Sequence, residues 1–200
     1  MGSTVRGPDS DPDSLVAQAT VTAMDDHTDD SDGHDVAHDH HSHDADAVSV
    51  AVVTVSSSRT LDDDPGGDVV ETILTDAGHR VTERRLVADD RVAIADAVTS
   101  ALDAGADAVV TTGGTGLTPD DVTVGAVRPL FDRTIPGFGE LFRYVSYEEV
   151  GPMAMASRAT AGVVADRLVF SLPGSENAAR TGTEQLVAPA LGHLLGLVRR

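Results

Sequence analysis

The sequence predicts an α/β protein with three layers, in which helices cover both faces of a mostly parallel sheet. From Val48 onward, short apolar runs of strand length alternate with stretches of helical periodicity. Such alternation is typical of right-handed βαβ crossovers. Two later apolar runs are separated only by Ala165-Asp166-Arg167, and a connection this short favours a hairpin. One strand of the sheet is therefore expected to run antiparallel.

The individual elements follow from apolar periodicity and from the residues that start and stop helices. Strands are predicted where apolar, β-branched residues cluster, and helices where apolar residues recur at helical spacing before a glycine. The predicted order is a strand at Val48–Val55, a helix at Asp68–Ala77, a strand at His79–Val87, a helix at Asp90–Ala104, a strand at Asp107–Thr111, hairpin strands at Ala161–Val164 and Leu168–Leu172, and helices over 175–186 and 187–198. Pro189 is expected near the start of the last helix.

The composition excludes several classes of protein. The chain holds 33 acidic against 14 basic residues, a formal charge of −19, and every basic residue is Arg. Such a balance argues against binding to nucleic acid or to an anionic membrane. The absence of Cys excludes disulfides and thiolate chemistry. Because no apolar run reaches about 18 residues and no signal-peptide pattern is found, a cytoplasmic location is expected.

The acidity also indicates an adaptation to high salt. Near molar salt the Debye length is about 3 Å, so repulsion among carboxylates is screened while their hydration keeps the chain in solution. A chain with no Lys and 3% aromatic residues fits that environment. The alternative is an ordinary acidic protein from a GC-rich genome.

The chain is predicted to divide into an N-terminal tail, residues 1–47, and a folded domain, residues 48–200. The tail holds 12 Asp and one Arg and shows no apolar periodicity. Such a segment cannot offset its ordering entropy, so disorder is expected. It also carries six histidines, namely His27, His34, His38, His40, His41 and His43. They could form a metal-binding tract, but they lack the fixed spacing of a folded site, so a solvated acidic tail is favoured.

The segment TTGGTGLTPDDVT, residues 111–123, carries the strongest chemical signal. It follows directly on a predicted parallel strand, and ligands bind beyond the carboxyl ends of such strands. Its glycines let an anionic group approach backbone N–H donors, and Thr118-Pro119 is expected to begin a helix there. Asp120 and Asp121 beside an anion site favour an intervening Mg²⁺. The alternative is a plain glycine-rich turn.

Four segments together resemble the molybdopterin adenylyltransferase-like family of MoaB and MogA type. They are TTGGTGLTPDDVT, PGFGELFR at 136–143, SRATAG at 157–162 and LPGS at 172–175. The resemblance spans about residues 48–200. It implies a MogA-like molybdopterin-binding fold, with molybdopterin and ATP as substrates and Mg²⁺ as cofactor. The implied reaction transfers AMP to molybdopterin and releases pyrophosphate.

The resemblance also implies a set of site residues. Asp121 and Asp89 fall on the family's catalytic acidic positions and are expected to hold Mg²⁺. The expected substrate and phosphate ligands are Thr112, Gly113, Gly114, Thr115, Gly116, Ser57, Arg59, Ser157, Arg158, Pro173, Gly174 and Ser175. The expected partners are further copies in a homotrimer or hexamer, and the molybdenum insertion enzyme. Two alternatives stay open, a MoaB-type protein that binds molybdopterin without catalysis and a nucleotide-processing relative that shares the glycine loop.

Side chains outside these motifs have plainer interpretations. Phe138 and Phe142, four residues apart, are expected in the core or at a subunit interface rather than stacked on a pterin, and Tyr144 and Tyr147 are interpreted in the same way. His79 is expected at the surface or at a helix end.

Overall fold

The computed structural model describes residues 47–200 together with Gly2. The predictions for the tail and its six histidines therefore lie outside the described residues. The described strands are β1 (Ser49–Val55), β2 (Arg80–Val87), β3 (Ala108–Thr112), β4 (Arg133–Thr134), β5 (Thr160–Val164) and β6 (Arg167–Leu172). They form one sheet in the order β2-β1-β3-β6-β5-β4. β1, β2, β3 and β6 are parallel, and β5 runs antiparallel to its neighbours on both sides. The predicted fold class is confirmed.

The first two and the last two of the six described helices lie close to their predicted positions. The six are α1 (Pro65–Asp76), α2 (Arg91–Asp103), α3 (Thr123–Val127), α4 (Pro136–Val150), α5 (Glu176–Gly182) and α6 (Ala188–Val198). A π-helical turn, Thr183–Val187, joins α5 to α6. Pro189 lies in the first turn of α6, as predicted, and it has no amide hydrogen for the carbonyl of residue 185. This missing hydrogen bond accounts for the wider turn before it. Within the described residues, no helix is both long and apolar enough to span a bilayer.

The glycine-loop segment corrects one prediction. No helix begins at Thr118-Pro119, because residues 118–122 form a turn and α3 starts only at Thr123. The carboxylate of Asp121 accepts hydrogen bonds from the amide of Thr118 at 2.8 Å and from its hydroxyl at 2.6 Å. The hydroxyl that was expected to cap a helix is therefore bonded to Asp121, and the segment closes on itself. The positive end of a long helix is not available beside this loop.

The sheet is buried on both faces, which explains the unbroken apolar sequence of its first strand. Val50 and Val52 face one core with side chains of α1, α4, α5 and α6, whereas Ala51, Val53 and Val55 face a second core with α2 and α3. Each core is lined on its outer side by helices, so the three predicted layers are present. All parallel strands end at the same edge, and the loops that follow them meet there.

The aromatic predictions divide into two groups. Phe138 and Phe142 are 6% and 1% exposed, and the ring of Phe138 meets Phe170 edge to face at 5.3 Å. Their placement in the core is therefore confirmed. Tyr144 and Tyr147, by contrast, are 71% and 59% exposed, so neither lies in the core of this chain, and their position at a subunit interface stays a prediction. α4 buries only one of its faces, and the tyrosines lie on the other.

His79 is buried rather than at the surface, and it follows the end of α1, as the second part of the prediction has it, with its amide donating to the carbonyl of Leu74 at 2.9 Å. Its Nδ1 accepts a hydrogen bond from the amide of Val48 at 3.3 Å, and its Nε2 lies 3.3 Å from the carbonyl oxygen of Ala188. The imidazole thus joins the residue before β1 to the start of α6.

The hairpin between β5 and β6 confirms the predicted antiparallel strand. Its two turn residues, Ala165 and Asp166, have φ values of +47° and +59°. Two successive positive φ values give a turn whose twist matches that of the flanking strands. The amide of Ala165 also donates to the carboxylate of Asp132 at 2.8 Å, which stabilises this otherwise strained conformation.

Candidate functional site

The glycine loop after β3 is held in a conformation that only glycine accepts. Gly113 and Gly114 have φ values of +104° and +65°. A Cβ on Gly113 would lie 2.3 Å from the carbonyl oxygen of Val55, and one on Gly114 would lie 2.3 Å from Oγ1 of Thr123. Thr123 in turn donates its hydroxyl to the carbonyl of Gly113 at 2.8 Å. The loop is therefore rigid before any ligand arrives.

Only part of the loop's hydrogen-bonding capacity is left for a ligand. The amide of Gly113 donates to Leu172 at 2.9 Å, and Thr112 is fully buried with its hydroxyl 3.4 Å from that of Thr54. The amides of Gly114 and Thr115 donate to no group in the described part of the chain. The hydroxyl of Thr115 is also buried and has no hydrogen-bond partner among residues 47–200. These donors are the ones that a phosphate would use.

Asp121 lies at the end of the same loop as an ionised carboxylate. Burial raises its pKa, but hydrogen bonds from the hydroxyl and amide of Thr118 and from the amide of Gly116, with the positive charge of Arg158, outweigh burial and hold the pKa below its usual range. A carboxylate that is ionised at neutral pH and half-buried attracts a cation. The loop therefore presents amide donors and an anionic group side by side.

Arg158 closes the loop from the opposite side. Its Nε donates to the carbonyl of Gly116 at 2.6 Å and its Nη2 to the carbonyl of Asp121 at 2.5 Å. The backbone amide of Arg158 also donates to Thr115 at 2.9 Å. The guanidinium thus spans the turn and fixes where the Asp121 backbone lies.

Asp89 lies at the same edge of the sheet but two strands away from the glycine loop. It follows β2 and accepts from the amide and hydroxyl of Ser57 at 2.8 and 2.7 Å, while its own amide donates to the Ser57 hydroxyl at 3.1 Å. The structure therefore brings Asp89 and Ser57 together. β1 lies between β2 and β3, so the loops carrying Asp89 and Asp121 start about 10 Å apart.

The LPGS turn approaches the glycine loop through backbone contacts. A Cβ on Gly174 would lie 3.0 Å from Cα of Gly113, and Nη1 of Arg59 donates to the carbonyl of Gly174 at 2.9 Å. Ser175 caps α5 by accepting from the amide of Ala178 at 3.4 Å. Pro173 and Gly174 are half-buried and Ser175 is exposed. The segments that carry the predicted site residues thus meet at one edge of the sheet.

A cavity of about 400 Å³ lies between α3, α4 and the start of β5, and it is linked to the glycine loop through Arg158, which lines the cavity and donates to Gly116. Three guanidinium groups line it, those of Arg128, Arg143 and Arg158, together with Ser157 and Glu140. None of the three arginines forms an ion pair with a carboxylate of the described residues, whereas Arg84, Arg85, Arg133, Arg180 and Arg199 all do. In an acidic domain, three arginines that line one cavity without a salt bridge to a described carboxylate favour the binding of an anion there.

Sequence reasoning missed one residue of this region. Arg128 lies outside the four motifs and carries no local signal. Asp64 lies in the loop, Asp64 through Gly67, that the family resemblance assigns to the nucleotide pocket, and the structure places it fully buried at the start of α1, directly before Pro65.

The fold and site define a class of protein, an α/β domain with a glycine loop and an arginine-lined cavity at the carboxyl edge of its sheet. A family model described as "Probable molybdopterin binding domain" matches residues 51–193. Molybdenum cofactor biosynthesis protein B of Staphylococcus aureus is 47% identical over 148 residues, which cover 72% of this chain and 88% of the relative. The chain belongs to the molybdopterin-binding domain family, as a molybdenum cofactor biosynthesis protein of the MoaB type.

Solved structures agree with this assignment. A crystal structure of a molybdenum cofactor biosynthesis protein B is 43% identical, has a TM-score of 0.75 and covers 77% of this chain and 97% of that one. The tungsten cofactor synthesizing protein MoaB from Pyrococcus furiosus is 38% identical with a TM-score of 0.71, covering 78% and 99%.

Proposed function

We propose that this protein transfers AMP from Mg-ATP to the terminal phosphate of molybdopterin, giving adenylyl-molybdopterin and pyrophosphate. Family membership supports molybdopterin as the ligand. The observation that carries the proposal is the cavity lined by Arg128, Arg143 and Arg158, of which Arg158 is bonded to a glycine loop whose Gly114 and Thr115 amides donate to no group among the described residues. The arginine-lined cavity suits the phosphate of a pterin substrate, and the glycine loop suits the phosphates of a nucleotide.

The chemistry of the transfer needs no strong base. A phosphate monoester has a second pKa of about 6, so the nucleophilic oxygen is already largely unprotonated at neutral pH. That oxygen forms a bond to the α-phosphorus of ATP, the bond from this phosphorus to the bridging oxygen breaks, and pyrophosphate leaves. The obstacle is repulsion between two anions, so the chain's main task is to position and neutralise them. Amides of Gly114 and Thr115 and the arginines of the cavity supply donors for this.

The donor set fits magnesium. Among the described residues, no group of three or more His, Asp or Glu side chains could hold a metal, which argues against a site built entirely from protein ligands. Mg²⁺ instead takes one or two carboxylates and completes its shell with water and substrate phosphates. Asp121 and Asp89 are the residues that would hold it. When bound, the ion would neutralise phosphate charge.

The alternative is a protein that binds molybdopterin without adenylylating it. Both hypotheses place molybdopterin in the cavity, and they differ in whether AMP is transferred to it from ATP. Incubation of the protein with molybdopterin and Mg-ATP at high KCl, with detection of pyrophosphate, separates them. Turnover is expected, while tight molybdopterin binding without pyrophosphate would favour the binding-only protein.

The cavity itself is tested by charge removal. Arg128→Ala and Arg143→Ala are each expected to weaken molybdopterin binding about tenfold or more, because a charge-assisted hydrogen bond to phosphate is lost. Arg133→Ala is the matched control, since Arg133 pairs with Asp166 on the surface at 3.6 Å. Unchanged affinity in both cavity variants would place molybdopterin elsewhere.

We also propose that the protein assembles as a homotrimer or hexamer and passes its product to a molybdenum insertion enzyme in the cytoplasm. Large apolar side chains are exposed along α4 and the following 3₁₀ turn, namely Leu141, Tyr144, Tyr147, Val150, Met153 and Met155. A cluster of this kind is typical of an interaction surface. Sedimentation at high KCl tests the assembly, and a monomer at micromolar concentration would contradict it.

A further inference from the structure

Asp64 is a buried carboxylate that joins three elements beneath the site. It has no exposed surface. Its Oδ2 accepts from the hydroxyl of Thr54 in β1 at 2.5 Å and from Nη2 of Arg84 in β2 at 2.7 Å. Its Oδ1 accepts from the amide of Gly67 at 3.1 Å and so caps α1. A buried charge is tolerated only with partners of this kind, so the carboxylate fixes the end of β1 relative to α1.

Arg59 carries this connection across to the LPGS turn. Its Nη1 lies 3.9 Å from Oδ1 of Asp64 and donates to the carbonyl of Gly174 at 2.9 Å. The side chain remains 31% exposed. Its Nε and Nη2 donate to no group in the part of the chain that the structure describes. One nitrogen is thus held by the protein, and the others are free for an anion.

The loops around Arg59 leave little room for independent movement. A Cβ on Gly66 would lie 3.1 Å from the carbonyl oxygen of Gly174, and Gly174 packs on Gly113 in the same manner. A Cβ on Gly67 would lie 2.1 Å from Oδ2 of Asp64. Three loops, those after β1, β3 and β6, therefore pack backbone to backbone, and Arg59 is the side chain that bonds the first to the third.

We propose that Asp64 is a positioning residue, which holds Arg59 so that its free N–H groups meet a phosphate of the nucleotide and so that the loops after β1 and β6 form one rigid wall. The nucleotide part rests on the proposed function, whereas the rigid wall does not. Asp64 is too buried to touch a substrate and acts only through Arg59. A purely structural helix cap would stabilise the fold without affecting nucleotide affinity.

The experiment compares Asp64→Asn, Arg59→Ala and Arg59→Lys with Asp62→Asn, a matched control that removes an exposed carboxylate from the same loop. Two measurements are made on the full chain at high KCl. Hydrogen exchange follows the amides of residues 172–178, and titration calorimetry measures binding of ATP and, separately, of molybdopterin. Thr54→Val is added because it removes one hydrogen bond to Asp64 while keeping the side-chain shape, in case Asp64→Asn does not fold.

Arg59→Ala and Asp64→Asn are expected to weaken ATP binding about tenfold to a hundredfold and to speed exchange at residues 172–178. Molybdopterin binding should not change, Arg59→Lys should recover part of the ATP affinity, and Asp62→Asn should behave as the wild type. Thr54→Val should show the same changes as Asp64→Asn in weaker form.

Two results would overturn the proposal. Unchanged hydrogen exchange at residues 172–178 in both Arg59→Ala and Thr54→Val would show that the loops after β1 and β6 do not form a rigid wall. Lower thermal stability of Asp64→Asn with unchanged ATP affinity would show that Asp64 only caps α1. If the wild type binds no ATP, the proposed function fails, and the exchange measurement still decides whether Asp64 and Arg59 join the two loops.

Discussion

Removal of the Arg158 side chain tests how the glycine loop is held. In the wild type, Arg158 donates to the carbonyls of Gly116 and Asp121 at 2.6 and 2.5 Å. Arg158→Ala deletes both bonds and leaves two carbonyls to water. Of its hydrogen bonds with residue 158, the loop that carries the Asp121 carboxylate then keeps only the backbone bond to Thr115, and its position becomes less well defined.

The size of the effect follows from those two bonds. A hydrogen bond from a charged donor contributes about 1.5–3 kcal/mol, and water replaces part of it because Arg158 is only half-buried. A loss of about 2 kcal/mol in the free energy of unfolding is therefore expected. If all of this energy, about 2 kcal/mol, is also lost from stabilisation of the transition state because Asp121 is no longer held in place, kcat/KM falls roughly thirtyfold. Arg158→Lys keeps the charge but cannot span two carbonyls, so about half of the loss is expected.

Urea unfolding at a fixed KCl concentration gives the stability, and pyrophosphate release gives kcat/KM. Hydrogen exchange over residues 113–122 reports the loop directly. An unfolding free energy within about 0.5 kcal/mol of the wild type, together with unchanged exchange in the loop, would refute the idea that Arg158 holds it.

Three further predictions concern the loop backbone, the core and pH. Gly113→Ala should lower stability by about 2 kcal/mol or more, because φ is +104° and the new Cβ would meet the carbonyl oxygen of Val55; wild-type stability on denaturant unfolding would contradict this. Phe142→Ala should cost about 3–5 kcal/mol in the same assay, since its side chain is 1% exposed, and a cost below about 1 kcal/mol would argue against a packed core there. The lowered pKa of Asp121 stabilises the fold fully above its unfolded value of about 3.9 and progressively less as the pH falls through the lower folded pKa. The stability difference between wild type and Asp121→Asn should therefore shrink in acid, and a pH-independent difference would contradict the assignment.

Much of the fold could be predicted because its signals are local. The run Val48–Val55 is apolar without alternation since β1 is covered by helices on both faces, and the short Ala165-Asp166 connection can only join antiparallel neighbours. The start of α1 was less clear. Gly66 and Gly67 in its first turn suggest a loop, and they are required there because Gly174 and Asp64 pack against them. That requirement comes from residues far away in the chain.

The site was predictable as a set of motifs but not as a set of contacts. The position of the glycine loop at the end of a parallel strand follows from local pattern. The roles of Arg59 and Arg158 do not, because their acceptors, Gly174 and Gly116, lie 115 and 42 residues away. The turn at Thr118 was mistaken for a helix start, since Thr-Pro satisfies the local rule while the Asp121 carboxylate decides the outcome.

The most direct test of the account is turnover of molybdopterin by the wild type and by Asp121→Asn. Both proteins are incubated with molybdopterin and Mg-ATP at high KCl, and adenylyl-molybdopterin and pyrophosphate are measured together. Equal amounts of the two products are expected from the wild type, and molybdopterin binding without product is expected from Asp121→Asn. Full activity in Asp121→Asn, or tight molybdopterin binding with no product from the wild type, would contradict it.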